Sequence, residues 1–296
     1  MLGKSIMKSI NNTKRFHHKS LIALTVILFW VFEVLLMKEL VTFPQVIDLG
    51  FIGIRTYGIF IMLGVILVSL LIRKESKNIK ELKRFDIIDG LIIVLIGGIL
   101  GARLYHLITD WYLYASNPIS ALYLWNGGLG IFGAIAGGLL ALLLYSRKRD
   151  FRFLVIVDLV AIFMPLAQII GRFGNLVNLE IVGLPTKLPW AWNIASLNGS
   201  FHPVFLYEQI GNTLLFILLF SVYKKRVKRF EILGSGNFIL IYLFGYSLIR
   251  FFVELWRTEP KYIFNIFSVN QIVCLFVIII SAGLIFYRIK LKGVQK

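Results

Sequence analysis

Eight mostly apolar runs, each long enough to form a membrane-spanning helix, constrain this chain more than any other feature. A helix crosses about 30 Å of hydrocarbon with about 20 apolar residues. The chain is 58% hydrophobic and only 16% charged, whereas soluble domains are about 25% charged. The sequence therefore predicts an all-α polytopic membrane protein and excludes a soluble enzyme, a disordered chain and a disulfide scaffold. The predicted spans cover residues 21–37, 54–72, 87–104, 124–146, 153–170, 205–223, 236–256 and 264–287.

Basic residues are distributed unevenly between the two ends of these spans. The chain has a net charge of +17, and its Lys and Arg residues cluster at alternate span ends. Because basic residues accumulate in cytoplasmic loops, this alternation places both termini in the cytoplasm. Each cluster abuts a span, so we predict no nucleic-acid partner. The clusters lie within residues 4–19, 73–84, 147–152, 224–229 and 288–296.

The first predicted span follows a basic segment and so resembles a long signal peptide. Glu33 interrupts its apolar run, however, and no small-x-small cleavage motif follows it. We therefore favour a retained anchor, with cleavage as the open alternative. The expected organisation is a basic N-terminus with an extra anchor at 1–43, a membrane domain at 44–290 and a cytoplasmic tail at 291–296.

The seventh span carries charged residues that a purely structural helix would not need. An arginine inside a span usually faces a cavity, an ion partner or a substrate. Tyr246, Arg250 and Glu254 recur every four residues and therefore share one helical face. A structural pair of Arg250 with Glu254 is the simpler alternative, but it leaves Arg257, one turn further along, unexplained.

A second polar group begins where the fifth span should leave the membrane. Its glycines, Gly171, Gly174 and Gly183, permit irregular backbone and the close approach of a ligand. Irregular polar backbone at this depth is tolerated only against protein or a wet cavity, although an ordinary exit loop is the alternative. The polar residues of this segment are Arg172, Asn175, Asn178 and Glu180.

Other polar candidates stand at neighbouring span ends. Snorkelling explains an arginine at such a position, and an aromatic belt with a proline-started helix explains most of the block before the sixth span. Taken with the arginines above, however, these residues predict a site for an anionic lipid headgroup that opens to the extracytoplasmic side. They are Arg103, His106, His202, Tyr207 and Glu208.

Five blocks of the sequence resemble the prolipoprotein diacylglyceryl transferase family. The run "GRFGNLVNLE" resembles the family signature Gly-Arg-x-Gly-Asn-x-x-Asn-x-Glu. The other blocks agree in order and spacing, and the resemblance covers roughly residues 44–290. They are "RTYGIFIMLG", "GARLYHLITDW", "HPVFLYE" and "GYSLIRFFVELWRTEP".

The resemblance implies a seven-helix transferase core in the bacterial inner membrane, here with one extra N-terminal transmembrane helix. Members of the family transfer the diacylglyceryl group of phosphatidylglycerol to the lipobox cysteine of a preprolipoprotein and release glycerol phosphate. This is the first step of bacterial lipoprotein maturation. The implied partners are phosphatidylglycerol, preprolipoprotein lipobox peptides and membrane lipid. No cofactor or metal is implied, and the oligomeric state stays open.

The family's chemistry implies roles for the candidate residues. Arg172 and Arg250 are expected to stabilise the charge that grows on the leaving phosphate, the kind of contact that usually contributes most to catalysis. His106 is the expected base because histidine titrates near neutral pH, with His202 second. Cys274 lies deep in the last span, so the thiol comes from the substrate. The predicted supporting and binding residues are Tyr57, Arg103, Asn175, Asn178, Glu180, Tyr207, Glu208, Tyr246, Glu254 and Arg257.

Two departures from the family pattern affect these expectations. Phe132 stands where a glycine-rich block often carries a catalytic histidine, so that base is not carried over. Leu179 replaces a glycine that the family usually has between Asn178 and Glu180. A non-catalytic paralogue therefore stays open, as does an anionic-lipid transporter, although the sequence lacks the internal repeats that many transporters have.

Overall fold

Seven long apolar helices make up most of the part of the chain that the computed structural model describes, which is residues 37, 44–48, 50, 53–123, 127–226, 233–258, 262–263 and 266–294. All seven are long and apolar enough to cross a membrane, which confirms seven of the predicted spans. The predicted span at 21–37 lies outside the described residues except for its last residue. The helices are α1 (Thr56–Ser76), α2 (Ile87–Thr109), α3 (Ile131–Arg149), α4 (Phe153–Val177), α5 (Val204–Arg226), α6 (Asn237–Val253) and α7 (Val269–Val294).

Consecutive helices alternate in direction, so the basic connections gather at one end of the bundle. There Arg84, between α1 and α2, bonds to Asp150, between α3 and α4, at 3.1 Å. The hydroxyl of Tyr223 near the end of α5 donates to Glu75 near the end of α1 at 2.6 Å. We call this the basic end and the opposite one the far end.

α2 and α3 form a hairpin whose two backbones are in close contact. A Cβ atom added to Gly101 would overlap the carbonyl oxygen of Gly133, and one added to Gly137 would overlap that of Gly97. Small residues spaced by four allow this approach. The hairpin packs mainly within itself and touches α1 and α4 only slightly.

α4 lies in the interior, where it packs against α1, α5 and α6. Its buried Asp158 accepts backbone N–H bonds from Gly234 at 2.9 Å, Gly236 at 3.0 Å and Ile239 at 3.1 Å. These donors surround the start of α6, where helical N–H groups have no partner within the helix. Asp158 therefore caps α6 from a neighbouring helix and fixes the two helices against each other near the basic end.

Three short antiparallel strand pairs complete the far end. Each precedes a helix, and two bridges join the connection after α4 to neighbouring segments, one of them between Gly183 and Arg257. The strands are too short to alter the all-α class. They are β1 (Val46–Asp48) with β2 (Gly53–Arg55), β3 (Trp192–Ile194) with β4 (Gly199–Phe201), and β5 (Tyr262–Ile263) with β6 (Phe267–Ser268).

Candidate functional site

A buried carboxylate, Glu208 of α5, joins the three central helices at the far end. Its Oε1 accepts hydrogen bonds from Arg172 Nη2 of α4 at 2.6 Å and from Tyr246 Oη of α6 at 3.0 Å. Its Oε2 accepts from Arg250 Nη1, also of α6, at 3.0 Å. Glu208 is only 1% exposed, and a buried carboxylate needs such partners to offset its lost hydration. Glu208 thus holds two guanidinium groups next to each other.

A second buried carboxylate, Glu254, extends the site beyond the end of α6. One oxygen accepts from Arg250 at 3.2 Å and from Arg257 at 3.5 Å. The other accepts from Ser268 Oγ at 3.3 Å and from Asn270 Nδ2 at 2.8 Å. The start of α7 therefore supports the carboxylate that orients two arginines.

The turn after α4 adds amides to the site. Asn175 Oδ1 accepts from Arg172 Nη1 at 3.0 Å, and its Nδ2 donates to Glu180 at 3.2 Å. Asn178 Nδ2 donates to the other oxygen of Glu180 at 3.1 Å. Between them Leu179 has a φ of +55°, in the left-handed region that favours glycine. This conformation gives a physical reason for the glycine expected at 179.

The prediction of irregular backbone is wrong for Gly171–Val177, because α4 remains helical to Val177, and it holds from Asn178 onward, where Leu179 and Ile181 have positive φ. Gly174 and Gly183 make close packing contacts, whereas the Cβ position of Gly171 is open. A Cβ atom added to Gly174 would lie 2.5 Å from the ring of Tyr57 on α1. Glycine at this position therefore lets Tyr57 lie against α4 close to the site.

We call Arg172, Asn175, Glu208, Tyr246, Arg250, Glu254 and Arg257 the arginine cluster. Its three guanidinium groups share two buried carboxylates, and the carboxylate of Glu180 bonds to Asn175 beside them. The side chains of Glu208 and Glu254 are 1% exposed, whereas the arginine side chains are 14% to 26% exposed. The carboxylates therefore lie behind the cations, and the cluster presents donors to an anion such as a phosphate.

Arg103 lies outside the arginine cluster, on the α2–α3 hairpin. It is 6% exposed, and all five of its N–H groups point at backbone carbonyl oxygens 2.6 to 3.2 Å away. Its guanidinium therefore holds the connection between α2 and α3 rather than the other predicted site residues. The carbonyls belong to Ser120, Ala121, Tyr123, Gly127 and Gly128.

His106, the predicted base, also lies on the hairpin. Its Nδ1 is 3.2 Å from the hydroxyl of Tyr114, and its Nε2 is 3.8 Å from a carboxylate oxygen of Asp110. Phe132, at the position of the histidine expected from the resemblance, is 58% exposed and packs near Tyr105 on the same hairpin. None of these contacts involves a member of the arginine cluster.

His202 and Tyr207 belong to a third group, which is aromatic. The hydroxyl of Tyr207 accepts from Trp190 Nε1 at 3.1 Å and lies 2.9 Å from His202 Nδ1. In the simplest arrangement Tyr207 donates to Nδ1, so the ring proton of the neutral histidine resides on Nε2. His202 is therefore oriented by Tyr207 within this aromatic group.

Glu208 is the residue whose importance the sequence analysis underestimated. It was expected to support the site, yet it stands at the centre of the arginine cluster. The available signal is an ionisable residue one turn inside a predicted span, although a proline-started helix also accounts for a polar residue there. Ser268 and Asn270 were missed altogether, because polar residues at the start of a helix are ordinary. Among the described residues no group of His, Cys, Asp or Glu side chains is placed to hold a metal ion.

The fold and the site together define a multi-pass α-helical membrane protein with an anion-accepting cluster at one end of its bundle. Sequence comparison narrows this class to one family. Residues 44–287 match the prolipoprotein diacylglyceryl transferase family, and the chain belongs to that family.

Relatives named phosphatidylglycerol–prolipoprotein diacylglyceryl transferase match most of the chain. One from Finegoldia magna is 39% identical over 244 residues, which cover 81% of this chain and 92% of the relative. One from Fervidobacterium nodosum is 33% identical over 282 residues, or 92% and 94% of the two chains. One from Lactobacillus acidophilus is 32% identical over 265 residues, or 86% and 93%.

Proposed function

We propose that this protein transfers the diacylglyceryl group of phosphatidylglycerol to the lipobox cysteine of preprolipoproteins. The observation that carries the proposal is the pair Arg172 and Arg250, held next to each other by the buried Glu208. Membership of the family and the names of the relatives support the same substrates.

The reaction forms a thioether and releases glycerol phosphate. The thiolate of the lipobox cysteine is the nucleophile, and it attacks the carbon of the diacylglyceryl group that is bonded to the phosphate oxygen. The carbon–sulfur bond forms as the carbon–oxygen bond breaks, and the bonding electron pair leaves with the phosphate. We assign the thiol proton to water or to the departing phosphate, since His106 lies on the hairpin with Tyr114 and not in the arginine cluster.

Arg172 and Arg250 stabilise the negative charge that develops on the departing phosphate. Each makes two hydrogen bonds with described residues, so further donors of each five-donor guanidinium are free to bind substrate. A preorganised donor of this kind contributes on the order of 3 kcal/mol to lowering the barrier. The carboxylates hold the donors in place before substrate arrives.

The remaining cluster residues position these two arginines. Arg257 and Arg250 share Glu254, so Arg257 adds positive charge next to the phosphate position. Asn175 orients Arg172 directly. Asn178, Glu180 and Tyr57 form the border of the same site. Arg103 has no place in this proposal, because its donors are all used by carbonyls.

We also propose that the protein resides in the bacterial cytoplasmic membrane with both termini in the cytoplasm. The support is the charge pattern, since basic residues accumulate on the cytoplasmic side. The far end, with the arginine cluster, then faces the extracytoplasmic side. This is the side on which a lipobox cysteine becomes accessible after export.

A peptide modification assay tests the proposal. Purified protein in phosphatidylglycerol proteoliposomes should increase the mass of a lipobox peptide by one diacylglyceryl group, and a peptide with serine in place of cysteine should stay unmodified. Cys274→Ser should modify the peptide normally, because the buried Cys274 is not the acceptor. An anionic-lipid transporter and a non-catalytic paralogue both predict no mass change, so its absence with folded protein would contradict the transferase.

A further inference from the structure

A second polar layer lies one helical turn below the arginine cluster, toward the middle of the bundle. Its members are Gln168 on α4, Tyr242 on α6 and Asn212 on α5, each four residues deeper than a member of the cluster. Residues four apart share a helical face. The three side chains therefore belong to the junction of the same three helices.

Contacts between α4 and α6 confirm that the two helices meet at this depth. Gln168 Nε2 donates to the hydroxyl of Tyr242 at 2.8 Å. The ring of Tyr242 stacks on that of Tyr246, with centroids 5.8 Å apart and planes 3° from parallel. Gln168 and Tyr242 are partly exposed, like the arginines above them, so the open face of the cluster reaches this layer.

Asn212 carries the observation that points to a ligand. Its residue is 0% exposed, yet neither its side-chain oxygen nor its side-chain nitrogen has a hydrogen-bond partner in the described part of the chain. The side-chain oxygen of Gln168 is likewise buried and unpaired there. Burying an amide without partners costs about 1–3 kcal/mol, and folded proteins rarely leave such groups unpaired. The layer therefore offers two acceptors and one donor to a bound molecule.

The chemistry of the layer favours hydroxyl groups. Gln168, Tyr242 and Asn212 are neutral, so nothing in the layer balances an ammonium or a further phosphate. Two adjacent hydroxyls donate to two acceptors and accept from one donor, which matches the unpaired groups. The layer lies four residues, or about 6 Å along the helices, from the cluster, which is close to the length of a glycerol chain with its terminal oxygens.

We propose that Gln168, Tyr242 and Asn212 form a subsite for the headgroup hydroxyls of the lipid whose phosphate binds Arg172 and Arg250. The inference rests on the proposed transferase function. It makes this layer the part of the protein that selects a glycerol headgroup. A site built to bond a hydroxyl rejects analogues without it, since its buried polar groups are then left unpaired.

Replacing Asn212→Leu tests the subsite, because leucine has a similar size but no polar atoms. The measured quantity is the rate of peptide modification with phosphatidylglycerol or with phosphatidylethanol, whose headgroup has no hydroxyl. The natural protein should prefer phosphatidylglycerol by about 100-fold or more, and the variant by about tenfold or less, as expected on losing its hydrogen bonds. Thr213→Val is the matched control, since Thr213 bonds to its own helix and should leave the preference unchanged.

An unchanged preference in folded Asn212→Leu would overturn the subsite and indicate that only water binds there. Should that variant fail to fold, Gln168→Met decides in the same way, with a melting curve as the test of folding. A natural protein that modifies no peptide with either lipid would contradict the proposed function itself. Failure of the subsite and failure of the proposed function therefore give different experimental results.

Discussion

Arg103 and Arg172 are both arginines near the far end of an apolar helix, yet their surroundings differ. Arg103 directs all five N–H groups at backbone carbonyls. Arg172 makes two hydrogen bonds within the described part of the chain, with Glu208 and Asn175, and lies near Tyr246. The two residues differ in how many of their N–H groups bond to other atoms of the protein. That number distinguishes an arginine that holds a loop from one that can bind an anion.

The partners differ in kind as well as in number. Carbonyl dipoles around Arg103 use every donor, so a phosphate would have to displace the chain between α2 and α3. Glu208 and Glu254 orient the cluster arginines from behind and leave their outer sides partly exposed. A preorganised site needs this second layer of support. On the proposed function the hairpin is a scaffold, whereas the junction of α4, α5 and α6 binds the phosphate.

Among the substitutions that test this contrast, Arg250→Lys should produce the largest effect, a loss of activity. Lysine keeps the charge but loses the planar fork that reaches Glu208 and Glu254 at once. We expect kcat/KM for peptide modification to fall about 100-fold, in line with about 3 kcal/mol for one preorganised donor. A melting temperature close to that of the natural protein serves as the control. Near-normal turnover would remove Arg250 from the site.

Arg103→Lys should instead lower stability. An ammonium has three donors where the guanidinium has five, so at least two carbonyls lose their partner. We expect the free energy of unfolding to fall by about 2 kcal/mol, seen as a lower melting temperature in detergent, with KM for phosphatidylglycerol unchanged in the folded protein. A raised KM at unchanged stability would contradict the clamp and return Arg103 to the substrate site.

Leu179→Gly should produce the smallest effect, in the turn that carries the amides of the site. Leu179 is 43% exposed and has a φ of +55°, so glycine relieves backbone strain and gives up little packing. We expect a gain in stability of about 0.5–1 kcal/mol, measured by thermal unfolding, with activity unchanged. Leu179→Ala is the control, because its Cβ atom keeps the strain. An equal gain from alanine would show that strain is not the cause.

The spans were predictable because membrane thickness imposes a length and an apolar composition on each helix. The ends of the spans were less predictable. α4 continues seven residues beyond the predicted end at 170, to Val177, because Gly174 packs against Tyr57 inside the bundle. A glycine in the sequence is compatible with an irregular turn and with a close helix contact. Only the position of the neighbouring helix shows which of the two is present.

The site was predictable in its residue types but not in its pairing. Arg172 and Arg250 stand out as charges inside or beside spans. Both arginines bond to Glu208 because α5 lies between α4 and α6. No local sequence pattern predicts that arrangement of helices. The same holds for Arg103, whose role depends on carbonyls 17 to 25 residues further along the chain. The amide of Asn212 likewise stands in an apolar run that predicts only a span.

The cap that Asp158 places on α6 has a consequence for movement in this protein. Sliding α6 along α4 would break three hydrogen bonds at once. Arg172 lies fourteen residues from Asp158, or about 21 Å along α4, and there Glu208 bonds to Arg172 and to Arg250 of α6. One buried carboxylate thus fastens the two helices near each end of the bundle, so neither sliding nor a change of angle can occur without breaking charged contacts.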